Sequence, residues 1–403
     1  MLSLDVPSVV PVVTDTTEES TNQSIASHAA QSPRKLPKFP KDDGFYAALK
    51  QKADVYFAST GKSRRGPLAM YAKAATILLW WAASYIALVF FCQSIWLAIP
   101  LALSLALAMT AVCFSIQHDG GHSAFSNKRW MNRLAASTLD MVGASSYLWH
   151  TKHAILHHTY VNIDKHDTDI DVGTLARFCY HQPRRWFHRF QHVYLWMLYG
   201  LMGIRWHLFA DFKEIAVGKI GEHPIPRPKF WDMVIFYTGK AVSFTLLLAL
   251  PMFFHSWWLV LLFYVGVVGM MGMIMSVVFQ LAHCVGEADF PLPETESNRM
   301  DQTWSIHQIQ TTVDFAQTSR IVTWYCGGLN FQIEHHLFPH ISHVHYPALS
   351  KLVRETCEEH GINYMVHPTF MDGVRSHYRY LRDLGKYTHE ADKNSSTAPT
   401  TAA

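Results

Sequence analysis

The chain has 403 residues, 49% of them apolar and 16% charged, and its 34 Lys and Arg nearly balance its 31 Asp and Glu. The resulting net charge of +3 says little alone and points to no nucleic-acid partner. The six cysteines are scattered without a C-x-x-C pair, which excludes a disulfide framework and a zinc ribbon.

The first 40 residues are rich in Ser, Thr and Pro, with Glu18 and Glu19 among them. They lack a basic start followed by an apolar core, so they are not a signal peptide. Their composition predicts a disordered tail over 1–40, and 389–403 reads the same way. Between the tails, 41–388 is expected to be one domain.

The apolar residues are clumped. No Asp, Glu, Lys or Arg occurs from Ala74 to Gln117, nor from Ala241 to Gly286. A membrane-spanning helix needs about 20 apolar residues, so each run is long enough for a helical hairpin that crosses the bilayer and returns. The expected spans lie near 72–91, 95–116, 236–254 and 257–281. Trp96, Trp257 and Trp258 fall at the hairpin turns, where interfacial aromatics belong. Lys62, Arg64, Arg65 and Lys73 precede the first span, and Lys128, Arg129 and Arg133 follow the second. The turns carry no Lys or Arg, so both termini and the long middle segment are expected in the cytoplasm. The fold class is therefore an all-α integral membrane protein, with four spans in two hairpins and a cytoplasmic helical cap. A transporter would need ionisable residues within the spans. Lys240 is the exception, and its stem is expected to snorkel to the headgroups.

Between Arg189 and Arg205 the run FQHVYLWMLYGLMGI is apolar and aromatic but only about 15 residues long, short for a crossing. It is expected to lie in the interface. Were it to cross, the histidines before and after it would face opposite compartments.

Those histidines number 25, and three clusters stand out. His118 and His122 form an H-x3-H. His153, His157 and His158 form an H-x3-H-H. Gln332, His335 and His336 form a Q-x2-H-H. Residues four apart share a helix face, so His118 and His122 are expected to point at one metal, as are His153 and His157. With so many histidines a single H-x3-H is weak evidence, and placement is stronger. An even number of crossings separates the clusters, so one face of the membrane collects them all. His283 ends the fourth span much as His118 ends the second. These eight histidines over-supply one structural zinc, which closes at four ligands. Two metals fit better, and imidazole suits zinc, copper, iron and nickel alike. Asp119, Asp167, Asp169, Asp171 and Glu334 are near enough in sequence to accept the second ring N–H of a ligating histidine.

The boxes HDGGH, HAILHH and QIEHH in a four-span protein resemble the membrane fatty acid desaturases, most of all the acyl-lipid front-end (Δ6-type) branch found in cyanobacteria. The resemblance runs from about Phe39 to Lys386 and includes LWHTKHAILHHTY, DQTWSIHQIQTT and GGLNFQIEHHLFP. It implies an O2-dependent enzyme that places a cis double bond in a lipid- or thioester-linked acyl chain held in a bent apolar tunnel. It also implies two Fe ions, held by His118, His122, His153, His157, His158, His283, His335 and His336. Gln332 stands where other desaturases have histidine, which implies weak or water-mediated coordination. Many front-end enzymes carry a fused cytochrome b5 domain with an HPGG motif. None is present here, so electrons are expected from a separate ferredoxin or cytochrome b5. His150 and His340 depart from the residues typical of relatives and take no ligand role. His343 and His345 are expected to be structural or to orient ligands. An acyl or alkane hydroxylase or an acetylenase using the same boxes is the nearest rival, and a zinc-binding membrane receptor a more distant one.

Overall fold

A helix pairs every backbone N–H and C=O within its own segment, which makes it the stable form for a long uncharged run in a bilayer. The computed structural model of the protein describes residues 36–388 and is mostly helical. Among the described residues, four helices are long and apolar enough to cross a membrane: Leu68–Phe91, Ile95–Gly121, Phe230–Met252 and Trp257–His283. The first two pack against each other, and the second packs along the fourth. The second and fourth end at the histidine clusters, so two rigid rods set the depth of the site.

The tails lie mostly outside the described residues. Residues 36–40, expected to belong to the first tail, lie along 298–300: Lys38 N–H donates to the Asn298 carbonyl at 3.1 Å, and Met300 N–H to the Lys38 carbonyl at 2.9 Å. Phe39 anchors the segment, its ring 5.1 Å from that of His307.

The helix Gln191–Arg205 is not one of the four candidate spans, yet it packs closely along Trp257–His283. Glycines make this possible. A Cβ on Gly272 would lie 2.9 Å from the Gly203 amide nitrogen and 3.1 Å from the Gly200 carbonyl oxygen. Small residues at such crossings let two backbones approach. On the opposite face Val193, Met197 and Leu201 are exposed at a spacing of four.

Lys240 does not snorkel. It is buried, and its ammonium bonds to Asp211 Oδ2 at 2.8 Å and to the carbonyls of Gly143 and Trp206 at 2.8 and 3.0 Å. An ammonium with three donors met by three acceptors is stable inside the protein. Its effect is to tie the third span to the loop before the second histidine cluster.

The N-terminal helix Phe45–Thr60 covers the third cluster. Phe45, Leu49, Ala53 and Phe57 repeat every fourth residue and pack on Ile333, Leu337, Tyr346, Leu349 and Val353. A parallel pair of two-residue strands, Asp314–Phe315 with Val366–His367, braces the other side.

Candidate metal centre

Each cluster reaches the centre through a local departure from plain α-helix. A π-helical turn, Val112–Gln117, immediately precedes His118. The two glycines after Asp119 allow the chain to turn in a crowded space. A Cβ on Gly120 would lie 2.5 Å from the Ala136 amide nitrogen, and one on Gly121 would collide with the Trp149 ring. The second cluster lies within and just after a π-helical turn, His150–His157. The third sits on the helix Gln332–Leu337, after Gly327 and Gly328 at φ 61° and 73°. A Cβ on Gly327 would collide with the Phe114 carbonyl, so this loop lies directly on the second span.

The structure brings all eight histidines together. Nitrogens of His118, His122, His153 and His335 lie within 4.8 Å of one another, and so do those of His157, His283 and His336. His158 joins His335 and His336 in a third group of the same tightness, so the two sets adjoin. His153 and His157 thus fall mainly into different sets, although sequence spacing put them on one metal. Their rings nevertheless stack with centroids 5.1 Å apart, so the two sets meet along one helix face. His118 and His122 stay together.

Gln332 belongs to the second set. Its Nε2 lies 3.0 Å from His283 Nε2 and 3.5 Å from His336 Nε2. Rotating the amide about its last bond would put Oε1, an acceptor, in the same place.

The rings are aimed. His336 Nδ1–H donates to Gln308 Oε1 at 2.7 Å, His157 Nδ1–H to Asp167 Oδ2 at 3.0 Å, and His283 Nδ1–H to the Thr311 carbonyl at 3.4 Å. His335 Nδ1 meets the Tyr346 hydroxyl at 3.2 Å. Each bond on the outer nitrogen turns Nε2 inward. Spacing in the sequence does not single out Gln308, Thr311 or Tyr346; the first two lie in DQTWSIHQIQTT, where the resemblance was the only signal. Asn162 was also missed. At φ 57°, it offers its side-chain amide to the carbonyls of His283, Asp289 and Thr311 at 3.0, 3.1 and 3.2 Å, while its backbone N–H donates to Asp167.

The donor set fits metal. His157, His283, His335 and His336 are fully buried. The ring atoms His122 Nε2, His157 Nε2, His335 Nε2 and both nitrogens of His158 have no hydrogen-bond partner. Buried polar atoms without partners are rare and costly, and these converge on one spot. Burial, reinforced by neighbouring imidazoles, holds His122, His153, His158, His335 and His336 well below the usual histidine range. They are therefore neutral and have lone pairs to offer, as metal ligation requires. His157 differs: burial would lower it, but the Asp167 carboxylate outweighs that and raises it. Asp167 is held below the usual carboxylate range despite its burial by His157 and by the amides of Asn162 and Asp169.

The other expected carboxylates divide. Asp169 lies 4.0 Å from His153 Nδ1 and 3.8 Å from His157 Nδ1. Asp119 turns away, bonding His343 Nδ1 at 2.9 Å and the Ser342 hydroxyl at 2.9 Å. His343 in turn meets Lys73 at 2.8 Å. Glu334 accepts from the Tyr364 hydroxyl at 2.9 Å and lies beside Asp314, away from the rings. Asp171 is exposed. His340 is also exposed and donates to the His122 carbonyl at 2.7 Å. His181, His188, His207, His255, His307, His360 and His377 all bond outside the centre. His389 lies outside the described residues.

A cavity of about 320 Å³ opens onto the centre, where His118, His153 and Gln332 line it. Elsewhere its wall is mostly apolar, with Phe114, Phe178, Met275, Val278 and Leu329. A largely apolar cavity that opens on histidine side chains suits an alkyl chain.

Comparisons with known proteins agree with this chemistry. Residues 94–368 match the family model described as fatty acid desaturase. The chain is 36% identical over 348 residues to an sn-1 linoleoyl-lipid 6-desaturase of Arthrospira platensis, covering 86% of this chain and 94% of that one. It is also 36% identical over 351 residues to an sn-1 linoleoyl-lipid 6-desaturase of Synechocystis sp., covering 87% and 98%. An acyl-lipid (8-3)-desaturase of Physcomitrium patens is 34% identical over 349 residues, covering 86% of this chain and 72% of that one. The chain belongs to the fatty acid desaturase family and is a membrane oxidoreductase that desaturates fatty acyl chains.

Proposed function

We propose that the protein is a front-end, Δ6-like acyl-lipid desaturase, comprising one domain over 41–388 with its termini and active site in the cytoplasm. The observation that carries the reading is the meeting of two sets of buried imidazoles, several with partnerless Nε2 atoms, beside a largely apolar cavity. The curated front-end relatives support the choice of branch.

In this reading His118, His122, His153 and His335 would hold one Fe ion and His157, His283 and His336 the other, with His158 a further ligand and Gln332 a weak or water-mediated one. Bound iron supplies one-electron oxidation with O2, the chemistry needed to take hydrogen from unactivated methylenes. The protein's own part is positional. The cavity walls hold the chain against the ligand cluster and exclude water, so geometry selects the carbons. Asp167, Gln308, Thr311 and Tyr346 keep the imidazoles aimed and in one tautomer. An external ferredoxin or cytochrome b5 delivers the electrons.

The test is expression in a host without polyunsaturated fatty acids, followed by gas chromatography of its lipids. A new cis double bond is expected, with hydroxy acids as the outcome that would favour the hydroxylase. His157→Ala and His335→Ala should abolish the product. His360→Ala, whose ring bonds only the Thr356 carbonyl among its hydrogen-bond partners, should not. Full activity in His335→Ala would overturn the ligand assignment.

A further inference from the structure

Front-end chemistry counts carbons from the carboxyl end, so something must hold that end. For a Δ6 product the reacting carbons C6 and C7 lie within about 9 Å of the acyl carbonyl carbon, because only about five or six bonds of about 1.5 Å separate them. The carbonyl must therefore enter the cavity close to the histidines. A carbonyl drawn from water needs a donor there.

Three charged side chains line this cavity: Lys152, Asp169 and Arg205. They are neighbours. Lys152 Nζ lies 3.0 Å from Asp169 Oδ1, and the nearby charges of Glu214 and Arg205 also act on it. The other oxygen of Asp169 is 3.8 Å from His157 Nδ1 and 4.0 Å from His153 Nδ1. A single carboxylate thus separates the Lys152 ammonium from rings of both histidine sets. Asp169 takes one donor of an ammonium that has three. Arg205 is exposed, whereas the Lys152 side chain is only 24% exposed. A second observation agrees. Gln117, beside His118, is 2% exposed and also lines the cavity, and its Nε2 has no partner. An unpaired buried donor at this depth suits a space that receives a polar atom as well as methylenes.

We propose that Lys152 is the residue that sets double-bond position: its ammonium holds the acyl carbonyl, whether ester or thioester, and so fixes how far the chain passes the histidines. The proposal rests on the front-end desaturase reading above. Asp169 orients the ammonium, and Arg205 marks the exposed end of the same cavity.

The experiment expresses wild type, Lys152→Arg and Lys152→Met, locates the double bond by mass spectrometry of derivatised lipids, and measures iron per purified protein. Lys152→Arg should keep a single position. Lys152→Met should lose about ten- to a hundredfold of product, the effect of one charged hydrogen bond, and spread the remainder over neighbouring positions with iron unchanged. An unshifted single position in Lys152→Met, at any yield, overturns the proposal. Loss of iron in that variant also overturns it, since the lysine would then be a support of the centre. If Lys152→Met makes no product, binding of a saturated acyl ester to the purified iron-loaded enzyme decides: weakened binding supports the role and unchanged binding overturns it. Comparing ester and thioester forms in that binding assay identifies the carrier. Absence of any double bond with wild type would instead overturn the desaturase reading itself.

Discussion

At the scale of single residues, the centre depends on outer nitrogens as much as inner ones. His336 would be free to rotate without Gln308, whose Oε1 is 2.7 Å from Nδ1. Partners of this kind are worth about 10- to 100-fold in metal affinity or activity. Gln308→Ala should therefore lower iron content or product by that order, and Gln308→Glu, which keeps an acceptor, should restore part of it. Elemental analysis of the purified protein, read beside lipid profiles, checks this. Unchanged iron and product in Gln308→Ala would remove the residue from the machinery. The histidines themselves were legible because three clusters and His283 fall at corresponding places relative to the apolar runs. Gln308 was not, since nothing in its spacing distinguishes it from a surface glutamine. Its role exists only because the helix Trp304–Gln310 lies next to His336.

At the scale of elements, close packing places the clusters. Gly120, Gly121 and Gly327 bring three segments into contact distances that a Cβ would forbid. The approach of these separate segments then decides which histidine joins which set. The polar knot around Lys240 adds a titratable device. Asp140 lies beside it, and burial pushes its carboxyl up to about 7, with Asp211 adding to the rise and Ser146 opposing it. The folded protein binds this proton more tightly than the unfolded chain does. Its stabilising contribution is therefore present below the ordinary value of 3.8 and is lost as pH rises through about 7. Asp140→Asn should flatten the dependence of thermal stability on pH across that window. Unfolding curves of the two proteins in detergent micelles test it, and equal slopes would show that the carboxyl does not titrate there.

At the scale of the whole molecule, one site is assembled from four places in the chain, and the membrane arrangement must allow it. If the termini and the centre share the cytoplasm, Gln93 and Ser256 lie on the far side. The six native cysteines are all buried and free, so introduced thiols report cleanly. In intact cells an impermeant maleimide should label Gln93→Cys and Ser256→Cys while sparing Lys62→Cys and Glu296→Cys. The reverse pattern would invert the topology. The helix Gln191–Arg205 belongs to the same question: its glycines touch the fourth span, and its Val193, Met197 and Leu201 are exposed.

The sequence by itself determined the spans, because a bilayer admits few alternatives for long uncharged runs. It also picked out the eight histidines that converge in the fold, because a metal would need such donors. Only the tertiary structure decided how the histidines divide, which carboxylates serve them, and where Lys240 points. Asp119 and Glu334 are as close to the boxes in sequence as a residue can be, yet they serve His343 and Tyr364. Gln308 lies 28 residues from the His336 it orients, and Asn162 reaches the His283 carbonyl 121 residues away. Covalent neighbourhood fixes which residues are near along the chain. Which side chains meet is set by helix phase and the approach of separate segments, and those emerge only when the whole chain packs.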